Sequence, residues 1–173
     1  MNGYQEIEEE GQDMPSLNHS LLQARLVRLI DERFVSLTEI SLEVGSLDES
    51  FLNSLGVSRE LKPDLCLYSV EDPDIYFIDV SEQDDLIRVA KMPLLTIEIV
   101  SPMQGNREIL AKVRAYFALG VKSCWVVDPS LKIVAVYRSP GQFHVYQFTD
   151  SELVDEILEI RLPMAKIFAK RLM

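Results

Sequence analysis

The run from Leu94 to Tyr116, LLTIEIVSPMQGNREILAKVRAY, constrains this chain more than any other stretch. Leu94 to Val100 is apolar or β-branched except for one carboxylate, Glu98, and reads as a buried strand with an acid inside it. Ser101-Pro102 ends the strand, Gly105-Asn106 makes a turn, and a helix carrying Lys112 and Tyr116 follows. An unpaired buried carboxylate costs several kcal/mol, so Glu98 must be protonated, paired or bound to a cation. Arg107 and Lys112 are the candidate ion-pair partners, and a metal ion is the other solution.

Upstream, Leu22, Leu26, Leu29 and Ile30 recur at helical spacing between Leu17 and Phe34, behind the start signals Pro15, Ser16 and Asn18. This predicts an amphipathic helix laid on a sheet. His19 falls in its first turn, which suits capping or packing. Val35 to Val44 reads as a strand closed by Gly45 and Ser46, and Leu61 to Tyr68 as the next, entered through Lys62-Pro63. Asp64 stands near the start of that strand on the face of Cys66 and Tyr68, as a site acid or as the cap of a turn. Ser69 to Pro93 reads as an acidic loop around a short apolar stretch, Ile75 to Val80, with room for one or two hairpin strands.

Downstream, a helix from Asn106 to Leu119 should bury Ile109, Leu110, Val113, Tyr116 and Phe117 and stop at Gly120. Lys112 lies just outside that stripe with Glu108 one turn before it, as an ordinary i,i+4 ion pair or as part of a site. Ser123 to Asp128, Ile133 to Tyr137 and Phe143 to Phe148 follow as an antiparallel meander, with His144 a surface or packing residue. A short strand around Ile157 to Ile160 and a helix after Pro163 complete the chain. Alternating strand and helix periods predict an α/β (α+β) fold, a mixed central sheet flanked by two long helices.

A chain of 173 residues with 47% hydrophobic content builds one core, here residues 14 to 173. Residues 1 to 13 carry Glu6, Glu8, Glu9, Glu10 and Asp13 without a basic residue and read as a solvated arm. The net charge of −11 disfavours a general nucleic-acid binder. It still admits an enzyme that meets phosphates through a local basic patch or bridging divalent cations. Cys66 and Cys124 sit in apolar runs without metal-ligand spacing and read as buried free thiols. No apolar run approaches the ~20 residues of a membrane span, so a cytoplasmic protein without a membrane segment is expected.

Metal-dependent phosphodiester hydrolysis needs hard oxygen ligands on neighbouring rigid elements. Asp64 and Glu98 on adjacent strands, with the backbone carbonyl of Ile99 between them, would supply them. A nearby lysine would orient or deprotonate the attacking water and balance charge developing on phosphate.

Pro63-Asp64, Glu98-Ile99-Val100-Ser101-Pro102, Lys112 with Tyr116, Ala118-Leu119-Gly120-Val121 and Trp125-Val126-Val127-Asp128-Pro129 occur in that order. Together they resemble the Uma-two family of restriction-endonuclease-like proteins, placed in the PD-(D/E)XK nuclease superfamily, over residues 14 to 170. The resemblance implies a restriction-endonuclease-like fold, Mg²⁺ or Mn²⁺ as cofactor and DNA as substrate; since cutting both strands of a duplex takes two equivalent sites, a homodimer is expected. It implies Asp64, Glu98 and Lys112 as the catalytic set, with Asp64, Glu98 and the Ile99 carbonyl on the metal and His19, Glu108 and Tyr116 in support. In the standard pattern the lysine follows the second acid by two residues, where this chain has Val100; the family takes it from the next helix, at Lys112. Met103 and Glu108 replace a small polar residue and an aspartate usual in the family. The alternative is a catalytically silent relative, a dimeric binding or scaffold protein. The apolar tail Leu162 to Met173, with Ile167, Phe168 and Leu172, is the expected part of the dimer contact.

Overall fold

The computed structural model describes residues 15–57, 60–75 and 86–170. The acidic arm 1–13, most of the apolar stretch Ile75 to Val80, and Leu172 lie outside the described residues.

Helix α1, Leu17–Leu29, starts where Ser16 accepts a hydrogen bond from the His19 backbone N–H at 3.2 Å. It is shorter than the periodicity predicts. Ile30 is already extended, and the Asp31 carboxylate accepts from the Arg33 backbone N–H and guanidinium, turning the chain into strand β1, Phe34–Thr38. The predicted strand 35–44 is in fact two, because Glu39 takes a left-handed conformation (φ 53°) between β1 and β2, Ser41–Glu43. Helix α2, Glu49–Leu55, was not foreseen; Asp48 caps its start and Gly56, at φ 68°, ends it. The predicted strand 61–68 also divides, into β3, Glu60–Leu61, and β4, Leu65–Ser69, with Lys62-Pro63-Asp64 as the link. In the acidic loop, β5, Arg88–Val89, pairs in parallel with β2.

Strand β6, Leu95–Ile99, helix α3, Asn106–Ala118, and strand β7, Ser123–Asp128, form a strand–helix–strand unit whose two strands pair in parallel. Strands β8, Ile133–Ser139, and β9, Gln142–Gln147, extend the sheet antiparallel. The central sheet is mixed, in the order β1-β4-β6-β7-β8-β9, and β3-β2-β5 form a smaller one.

Period-two alternation divides β6 between two cores. Leu95, Ile97 and Ile99 join Leu22 and Leu26 of α1 on one face, together with Trp125 and Val127. On the other face Val113, Ala115 and Tyr116 of α3 pack with Cys124, Ala135, Leu42 and Leu52. The two long helices therefore cover opposite faces, as expected. Leu110 is exposed on α3 and Ala111 is buried instead. Cys66 and Cys124 are buried free thiols, each pushed up to about 12 chiefly by burial. Among the described residues no helix is long and apolar enough to cross a membrane.

The C-terminal part is a hairpin, β10, Glu152–Asp155, with β11, Ile160–Pro163, followed by the single turn α4, Met164–Ile167. The predicted strand at 157–160 begins with the turn of this hairpin. Asp155 makes that turn: its buried carboxylate accepts from the backbone N–H groups of Ile157 and Leu158 and, on the other oxygen, from Ser123 Oγ (2.6 Å) and Trp125 Nε1 (2.8 Å). One side chain so ties the hairpin to the central sheet. Asp155→Ala strands the Trp125 and backbone donors and should lower unfolding free energy by about 2–3 kcal/mol in chemical denaturation. Met164 and Ile167 are fully buried in the α1-side core, with Phe168 packed against it. Among the described residues of the segment expected to form a dimer contact, Leu162, Met164 and Ile167 are therefore used within the protomer's own core, while Phe168 is only partly buried.

Candidate active site

Strand β4 pairs antiparallel with β6 in the register Leu65↔Ile97, so position 64 comes beside Glu98 at the mouth of the sheet. Asp64 is held from three directions. Its Oδ1 lies 2.8 Å from His19 Nε2 of α1, and its Oδ2 accepts from the Ile99 backbone N–H at 2.6 Å. Its carbonyl accepts from Gln23 Nε2 (2.7 Å) and from the Glu39 N–H (3.3 Å). The carboxylate is thereby fixed without any flexible partner.

Glu98 points to the α3 side of β6, where residues one turn apart on the helix meet it. Tyr116 Oη donates to Oε1, and Lys112 Nζ lies 3.2 Å from Oε2. Lys112 was placed just outside the buried stripe by helical geometry, and this edge is what overhangs the sheet. The lysine keeps 21% of its side chain exposed, against 2% for Glu98. Burial raises the Glu98 pKa to about 7; the Lys112 charge opposes this and the Asp64 charge adds to it. Burial also works against the Lys112 ammonium, but Glu98, Asp64 and Glu108 together hold its pKa above the ordinary lysine value.

These groups open on a cavity of about 290 Å³ lined by His19, Asp64, Glu98, Ile99 and Lys112. The predicted acids and lysine are thus brought together, with His19 and Tyr116 holding them. Glu108 is exposed outside the cavity lining and accepts from Gln104 Nε2 at 3.1 Å. No ion pair joins Glu108 to Lys112 among the described residues. Sequence reasoning missed Glu39, Lys62 and Gln104, which also line the cavity. Glu39 was hidden inside a supposedly continuous strand, and Lys62 looked only like the approach to one. The adjacency of Lys62 to Pro63-Asp64 was the available signal.

Among the described residues no three His, Cys, Asp or Glu side chains converge into a metal centre. A caged ion such as structural Zn²⁺ does not match this arrangement. Among the described residues the carboxylates of Glu39, Asp64 and Glu98 border the cavity, and a cation at Asp64 and Glu98 would relieve the Asp64 charge acting on Glu98. That chemistry fits Mg²⁺ or Mn²⁺, which take one or two carboxylates and keep several waters.

No curated protein matches the chain. Among solved structures it is similar to one titled as a putative nuclease belonging to DUF820 from Anabaena variabilis ATCC 29413. The TM-score is 0.67 at 20% identity, covering 90% of this chain and 83% of the other, which is a likeness of fold. The restriction-endonuclease-like architecture read from the sequence stands. The Uma2 family model, described as "Putative restriction endonuclease", matches residues 4–165, and the chain belongs to that family.

Proposed function

We propose that the protein is a Mg²⁺- or Mn²⁺-dependent endonuclease that hydrolyses DNA phosphodiester bonds, acting as one domain over residues 14–173. The observation that carries this reading is the convergence of Asp64, Glu98 and Lys112, from two adjacent strands and the helix behind them, on one cavity. Asp64 and Glu98 would hold the ion, with the Ile99 carbonyl as a further oxygen. When bound, the cation would polarise the phosphate and lower the pKa of a water.

The chain's own groups do the rest. His19 fixes the rotamer of Asp64, and Tyr116 fixes that of Glu98. Lys112 is held protonated by its carboxylate neighbours, so it serves as a hydrogen-bond donor and counter-charge for the phosphate. It is not suited to deprotonating the water, one of the two roles open to it from sequence. His19→Ala frees the Asp64 carboxylate and should weaken Mn²⁺ binding about 10- to 100-fold in calorimetric titration. Two equivalent sites suit the two strands of a duplex, so self-association as a two-fold dimer belongs to the reading.

Mn²⁺ titration of the purified protein, with nicking of supercoiled plasmid in Mg²⁺ or Mn²⁺, tests the proposal. The absence of both binding and nicking at millimolar metal would refute it. The rival, a catalytically silent dimeric binding protein, draws on one observation: both oxygens of Asp64 and both of Glu98 already have protein partners. It requires that millimolar Mg²⁺ leave the melting temperature unchanged.

A further inference from the structure

We propose that Lys62 is the anchor for a substrate phosphate, a sequence-independent contact to the nucleic-acid backbone; this rests on the nuclease reading above. Among the described residues three side chains that can carry positive charge line the cavity: His19, Lys62 and Lys112. His19 is committed to Asp64, and Lys112 to Glu98. Lys62 is exposed, and among the described residues its ammonium has no hydrogen bond or ion pair.

A phosphodiester approaching this cavity meets Asp64, Glu98 and Glu39 on a molecule of net charge −11. Besides Lys112, whose charge is shared with Glu98, the anion therefore needs a cation that is not already neutralising a buried acid, and Lys62 is placed to be one. Its backbone is held on both sides. Leu61 is fully buried and pairs with Leu42, Leu65 is fully buried at the start of β4, and Pro63 confines Lys62 to extended conformations. The side chain so springs from a fixed point two residues from Asp64. A lysine ammonium on a flexible stem suits a non-bridging phosphate oxygen, whose position changes little with base sequence.

The test compares wild type with Lys62→Ala, Lys62→Arg and Lys166→Ala. Lys166 is exposed on α4 outside the cavity lining and controls for net charge. Affinity for a fluorescent single-stranded and a duplex oligonucleotide is measured over a salt series with Ca²⁺ in place of Mg²⁺. Steady-state cleavage is measured with Mg²⁺. Lys62→Ala should raise Kd and KM about five- to tenfold with kcat within about twofold, and the log–log salt slope should shrink by about 0.7 for single strands and 0.9 for duplex. Lys62→Arg should restore most of the affinity, and Lys166→Ala should change little. Melting temperature and Mn²⁺ binding should be unchanged in all. Wild-type affinity and salt slope in Lys62→Ala would overturn the assignment, as would a fall in kcat at constant KM. Oligonucleotide binding scores Lys62 even if wild type neither binds metal nor cleaves, an outcome that would sink the nuclease reading separately.

Discussion

Glu98→Gln should abolish metal-dependent cleavage while leaving the metal-free protein more stable above neutral pH. Losing an ion that contributes several kcal/mol to the transition state means about a thousandfold or more in rate. The stability effect follows from burial. Glu98 titrates near 7 in the folded protein against an ordinary glutamate value of 4.5, so between these values the native state holds the extra proton. Unfolding free energy therefore falls as pH rises through that window, by roughly 3 kcal/mol in all, and is greatest below pH 4.5. Glutamine resembles the protonated side chain and does not pass through this loss. Set against a poorer match of its amide to the Lys112 ammonium, a gain of roughly 1–3 kcal/mol is expected at pH 8. The gain should vanish by about pH 5. His19, raised above 6.5 mainly by its hydrogen bond to Asp64, contributes a slope of the same sign that persists in the variant. Denaturant melts of both proteins from pH 4.5 to 8.5 decide the matter. A variant several kcal/mol less stable at pH 8 would mean that Glu98 is there for the ion pair.

Lys112→Met should cost about as much activity, yet its stability loss should depend on pH. Removing one partner of a buried pair commonly costs roughly 3–5 kcal/mol, because the other charge is stranded. Here the stranded group is the fully buried Glu98, which has an escape: it takes up a proton. With its folded pKa already about 7, the added electrostatic loss at pH 8 is limited to roughly 1–2 kcal/mol. That loss should grow at pH 9 and disappear near pH 5. The reverse truncation is milder because Lys112 faces the cavity, 21% exposed, and keeps part of its hydration. In Glu98→Gln/Lys112→Met the pH-dependent part should be gone, and the double-mutant cycle measures the coupling directly. A Lys112→Met defect equal at pH 5 and pH 9 would show lost packing of the lysine stem and would contradict this account.

Much of this protein could be read from its residues in order. Strands 95–99 and 123–128 and helix 106–118 were legible because they are long, periodic and bounded by Pro102, Gly105, Gly120 and Pro129, signals that act within a few residues. Glu98 announced itself because an acid inside an apolar strand is costly wherever the strand lies. What could not be read were short elements and long-range partners. The seven-residue helix 49–55 has too few turns to show a period, and the break at Glu39 depends on a backbone conformation that no local residue preference marks. Phe168 and Ile167 looked like spare apolar surface until the packing of α4 on the α1-side core used them. The site was divided in the same way. Sequence singled out which acids and which lysine could meet in one place. Only the tertiary structure, by setting β4 beside β6 in the register Leu65↔Ile97 and laying α3 across them, decided that Lys112 belongs to Glu98 and not to Glu108. Charge pairing is a matter of distance in space, and residues four apart on a helix lose to residues fourteen apart when one of them is buried and has no water to turn to.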